Sequence, residues 1–180
     1  MTPLVQIVNI ILSVLTVLGQ AFLILWLCGN IFFKKAPWAE VLREKEGEWA
    51  LKGAFLVALI ATLGSLFYSE VAHFTPCTLC WYQRIFMYPQ AVLFGLALWK
   101  KDRGIAVYGL VLSVIGALLA LYHYLLQLGV APELPCAAIG YSAACSQRFV
   151  MTFGYITIPL MALTAFLLIM VSMISLKKKF

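Results

Sequence analysis

The chain alternates long stretches that carry no charge with short stretches where charges crowd. Leu4–Phe33, Gly53–Ser69, Gly104–Pro132 and Phe149–Leu176 contain no Asp, Glu, Lys or Arg, and Trp81–Trp99 contains one such residue, Arg84. A helix needs roughly 20 mostly apolar residues to cross a bilayer. The pattern predicts five transmembrane helices, the second of them short and extended by Leu51 and Lys52. Composition agrees: 64% of the 180 residues are hydrophobic and 11% charged, against about 45–50% and about 25% in a soluble domain.

Basic residues set the expected topology. Lys34, Lys35, Arg43, Lys45 and Lys52 flank the first connection, Lys100, Lys101 and Arg103 the third, and Lys177, Lys178 and Lys179 follow the last helix. With five helices these all fall on one side, which the positive-inside rule makes cytoplasmic. The expectation is a multi-pass protein of the bacterial cell membrane, N-terminus outside and C-terminus in the cytoplasm. The net charge of +6 reflects these anchors. No basic patch is interleaved with aromatics as single-strand binding requires, so membrane lipid, and no nucleic acid, is the expected partner. The first apolar run has no basic n-region and exceeds a signal-peptide core, so it reads as a spanning helix. Residues 34–52 mix charges of both signs with Trp38 and Trp49. Two readings stay open there: a short helix lying on the membrane surface, or a solvated loop.

Five cysteines are present. Cys77, Cys80, Cys136 and Cys145 fall in or beside the two outward segments, 70–80 and 129–154, where disulfides persist. Cys28 sits in the first helix and reads as a small buried hydrophobe. Three readings compete for the outward four. A zinc site would use thiolates, but Cys-x2-Cys with Cys-x8-Cys lacks the second short ligand spacing of the common fingers. Structural bridges are open too, although closing the tiny Cys77–Cys80 loop restrains the unfolded chain little. A redox relay is the third. Thr75 as N-cap and Pro76 at the first helical position would place Cys77 and Cys80 in the opening turn of the third helix, where the partial positive charge favours a thiolate. Arg84 follows Cys80 by four positions and so lies on the same helix face one turn deeper. A charge inside a spanning helix is a functional candidate; snorkelling to the interface is the alternative.

The run CTLCWYQRIFMYPQ, with four apolar helices and a second outward cysteine pair, resembles the DsbB family of disulfide-bond formation proteins, and its motif is most similar to the BdbC branch. The resemblance covers about Gly53 to the C-terminus. It implies an all-α fold, a four-helix transmembrane bundle over 53–180, to which residues 1–52 add an extra N-terminal transmembrane helix and a cytoplasmic connection. It implies a membrane thiol:quinone oxidoreductase that reoxidises an extracytoplasmic thioredoxin-like thiol oxidase, of the DsbA or BdbD kind, and passes electrons to a quinone, menaquinone or ubiquinone, with no metal. Carried over by residue, Cys77 and Cys80 match the quinone-linked pair and Cys136 and Cys145 the pair that exchanges with the partner. Arg84 matches the arginine beside the quinone, and His123 looks like the family's histidine near it; a satisfied interfacial histidine is the other reading. Vitamin K epoxide reductases have a similar bundle but carry the loop cysteines before the Cys-x-x-Cys. The rival from another class is a non-enzymatic membrane scaffold whose disulfides brace the outward loops.

Overall fold

The structure is a computed structural model that describes residues 2–32, 37–132 and 144–177, with the backbone alone for 37–48. Cys136, Lys34, Lys35, Lys178 and Lys179 lie outside the described residues. Five helices follow one another: α1 (Pro3–Phe32), α2 (Pro37–Leu66), α3 (Thr78–Lys100), α4 (Ile105–Gln127) and α5 (Ile158–Lys177). No strand occurs among the described residues; one antiparallel bridge joins Thr152 to Ile156. By length and composition, α1, Trp49–Val71, α4 and α5 are long and apolar enough to cross a membrane. The third helix has the length, 23 residues, but its apolar character is diluted by Gln83, Arg84 and Gln90.

Helices α2 to α5 close into a ring, each packed on the next and α5 packed back on α2. The register is antiparallel at every step. Phe55 on α2 faces Gly95 on α3, Phe94 on α3 faces Gly109 on α4, and Gly109 and Gly116 on α4 face Met173 and Phe166 on α5. Small residues let the backbones approach, which drives helix association in lipid. A methyl group added at Gly109 would lie 2.7 Å from the Phe94 ring and 2.9 Å from the Met173 sulfur, and one at Gly116 would overlap the Phe166 ring.

Gln90 and Ser113, two polar residues inside this apolar ring, are paired with each other. Pro89 interrupts the α3 ladder. The fully buried Gln90 beside it donates from Nε2 to the Phe86 carbonyl at 2.7 Å, and its Oε1 accepts from the Ser113 hydroxyl at 2.8 Å.

The first helix lies outside the ring and packs mainly on α5. Its buried face is its polar one, Val5, Asn9, Ser13 and Thr16, spaced every three or four residues as one helical stripe requires. Its second half is uncovered: Ile24, Leu25 and Phe32 are 62%, 72% and 77% exposed. Cys28 shares that half, which the described residues leave uncovered, and is exposed, not buried. The connection over 34–52 is neither a separate surface helix nor a loop from Pro37 on: α2 runs unbroken from Pro37 to Leu66. It ends in a five-residue π-helical turn, Phe67–Val71, a wider coil that recurs at functional sites.

Candidate active site

The cysteine end of the ring is built from the entry into α3, the last turns of α4 and the residues before α5. Cys77 is itself the N-cap of α3, in extended conformation, and its sulfur accepts from the Cys80 amide at 3.4 Å. This corrects the expectation that Thr75 caps the helix. The sulfur takes the role because it satisfies one of the free amides of the first turn while holding the two cysteines together. The Cys77 thiol donates to the Cys80 sulfur at 3.1 Å, so the pair is present as two thiols in contact.

His123, 2% exposed on α4, stands beside Cys77, its Nε2 3.7 Å from the Cys77 sulfur. The same nitrogen lies 3.0 Å from the Cys145 carbonyl, and a carbonyl only accepts, so Nε2 carries the proton. Neutral imidazole then leaves Nδ1 as an acceptor, and Gln83 Nε2 donates to it at 2.9 Å. Buried Cys145 packs in one cluster with Cys77, Leu79 and Leu126, against which Cys80 also rests. The hydrogen bond given to Cys80 and then burial, opposed by His123, push the Cys77 thiol up to about 12. The proton therefore stays on Cys77.

On the other side of Cys80 a cavity of about 350 Å³ opens between α1, α2, α3 and α5. Cys80 and Arg84 line it, and neither Cys77 nor His123 does. Apolar side chains form most of its wall. Tyr68, Phe74 and Phe149 close the cysteine end as a ladder of rings, stacked at 5.8 Å and 5.0 Å between centroids. Arg84 is held from α2: its Nε donates to the Ser65 hydroxyl at 3.0 Å and Nη2 to the Ser65 carbonyl at 3.1 Å. The Tyr88 hydroxyl donates to the same Ser65 oxygen at 3.1 Å. The guanidinium also lies 5.2 Å from the Trp81 ring, within cation–π range.

Of the residues singled out from sequence, Cys77, Cys80, Cys145, Arg84 and His123 come together around the start of α3. They divide into two compartments, Cys77, His123 and Cys145 on one side and Arg84 on the other, with Cys80 between. Gln83, Ser65 and Tyr88 were missed. Gln83 had a signal, since it follows Cys80 by three positions and shares its face; Ser65 had none, because its place depends on how α2 and α3 are aligned.

The family model described as "Disulfide bond formation protein DsbB" matches residues 47–176. The chain belongs to the DsbB family. It is a multi-pass membrane protein of the disulfide-formation class. A Bacillus anthracis relative named "Probable disulfide formation protein C 1" is 48% identical over 138 residues, 76% of this chain and 99% of its own length. "Disulfide bond formation protein C" of Bacillus subtilis is 44% identical over 71% of this chain and 91% of its own length. A "Probable disulfide formation protein" of Coxiella burnetii is 44% identical over 67% of this chain and 82% of its length. No solved structure matches the chain. The DsbB match begins at residue 47, so α1 lies outside it.

Proposed function

We propose that the protein is a thiol:quinone oxidoreductase that reoxidises a thioredoxin-like thiol oxidase on the outer face of the bacterial cell membrane. The observation that carries this is the position of Cys80, one sulfur shared between a buried thiol cluster and an apolar cavity with a fixed cation on its wall. A braced scaffold needs neither the cavity nor the cation. The cavity fits a flat, lipid-soluble ring: its wall is apolar, and the polar groups gather beside Cys80 and Arg84. A quinone bound there would accept two electrons and two protons.

The chain's own residues then have separate tasks. A partner thiolate attacks the Cys136–Cys145 disulfide and forms a mixed disulfide; the partner's second thiol resolves it, leaving the partner oxidised and this pair as two thiols. By exchange, the Cys145 thiolate attacks Cys77 of the Cys77–Cys80 disulfide, and Cys80 leaves as the thiolate. Cys136 then displaces Cys77, which restores the Cys136–Cys145 bond and moves both electrons to the first pair. His123 Nε2–H, beside Cys77 and tied to the Cys145 backbone, orients that exchange. Arg84 stabilises the Cys80 thiolate and the negative charge that develops in the cavity, where a preorganised cation in a low-dielectric site acts strongly.

The test is quinone reduction by purified protein, driven by a reduced thioredoxin-like oxidase. Wild type turns over and Cys80→Ser does not. Full turnover in Cys80→Ser would defeat the assignment, and no turnover in folded wild type with ubiquinone or menaquinone analogues would favour the scaffold.

A further inference from the structure

The cavity beside Cys80 is not built from the four-helix ring alone. Leu12, Leu15 and Thr16 of α1 line it together with Arg84 and Cys80. With Gly19 these positions follow the i, i+3, i+4, i+7 spacing of one helix face. That face is locked down at two close approaches. A Cβ at Gly19 would meet Leu168 on α5 at 2.9 Å and Thr164 at 3.2 Å, and a Cβ at Gly64 on α2 would meet Leu12 at 3.2 Å. A polar clamp adds to them: Gln20 Nε2 donates to the Thr164 hydroxyl at 3.4 Å, and Gln20 Oε1 accepts from Tyr155 at 3.1 Å. The helix therefore covers the seam between α2 and α5, and Leu12 and Leu15 present branched apolar side chains to the cavity that Arg84 also lines. Thr16 turns its hydroxyl away to its own helix, donating to the Leu12 carbonyl at 2.7 Å, which leaves the wall apolar.

We infer that α1 is the specificity wall of the acceptor site: Leu12 and Leu15 contact the isoprenoid tail of the quinone whose ring sits at Cys80 and Arg84. This rests on the quinone reading above and deepens it. A tail fixed by α1 has to run along this wall, so the helix that lies outside the DsbB match selects acceptors by the tail attached to the ring. The reacting groups stay on α3.

The experiment uses the full chain in detergent and measures equilibrium binding of two quinones with the same ring, one without a tail and one with several isoprene units, followed by retention of quinone on the protein. Leu12→Ala and Leu15→Ala, which remove wall, weaken the tailed quinone about tenfold or more, the scale of a single methylene contact in an apolar pocket. They leave the tail-less quinone unchanged, and that unchanged binding reports intact folding. Leu25→Ala, on the uncovered half of α1, changes neither. Equal effects on both quinones, or none on the tailed one, overturn the wall while the quinone reading stands. Wild type that retains neither quinone overturns that reading and the wall with it.

Discussion

Ser65 is the residue that decides where Arg84 points. One serine supplies both a hydroxyl and a carbonyl to the guanidinium, and Tyr88 bonds the same hydroxyl. Ser65→Ala removes the hydroxyl and should raise the quinone KM about tenfold, a loss of about 1–2 kcal/mol, with kcat less affected; steady-state kinetics with varied quinone checks it. Arg84→Ala should weaken quinone use further while both disulfides still form. The reduced pair carries its own prediction. Cys77 is held as a thiol up to about 12, so below that pH it is the unreactive member. Limited maleimide treatment near pH 8 should modify Cys80 first, as peptide mapping would show; modification of Cys77 first would contradict the shared proton. At this scale the spacing Cys77, Cys80, Arg84 was legible, because i, i+3 and i+4 relations survive any packing. The pairing of His123 with Gln83 and with the Cys145 carbonyl was not, since it needs the alignment of α3 with α4 and the path of the segment before α5. The cap was misread because sulfur is not among the usual capping atoms.

The helices themselves were legible from charge-free runs, and their boundaries less so. α2 begins at Pro37, well before its apolar run, because helix propagation adds a bond for each residue fixed once a helix exists. The contact face of α4 is set by glycine. Gly116→Leu forces a side chain into the Phe166 ring and should cost roughly 1–3 kcal/mol or more of stability, read as a lower thermal midpoint in detergent. The polar stripe of α1 was invisible from hydropathy alone: Asn9, Ser13 and Thr16 are buried while Leu4, Ile7, Ile10, Leu18 and Leu25 face outward. That inversion is the mark of a helix whose outer solvent is lipid, and it explains why Cys28 is exposed.

For the whole molecule, residues 72–77, 128–132 and 144–157 share one end of the ring, and 101–104 lies at the other. The basic residues predict that the first end faces out. Single cysteines placed at Val130 and at Asp102, in a chain with its own cysteines replaced, should react with an impermeant thiol reagent in intact cells at Val130 only. The exit of electrons through Cys80 beside Arg84 can be isolated in protein carrying Cys28→Ser, Cys136→Ser and Cys145→Ser. The reduced protein is mixed anaerobically with excess quinone, and its thiols are counted by alkylation. The Cys77–Cys80 bond should form with loss of one quinone per protein, and Arg84→Ala should slow this by about tenfold or more. A pair that stays reduced under these conditions, while Cys136 and Cys145 in Cys77→Ser, Cys80→Ser protein are oxidised by quinone directly, would contradict an exit through Cys80.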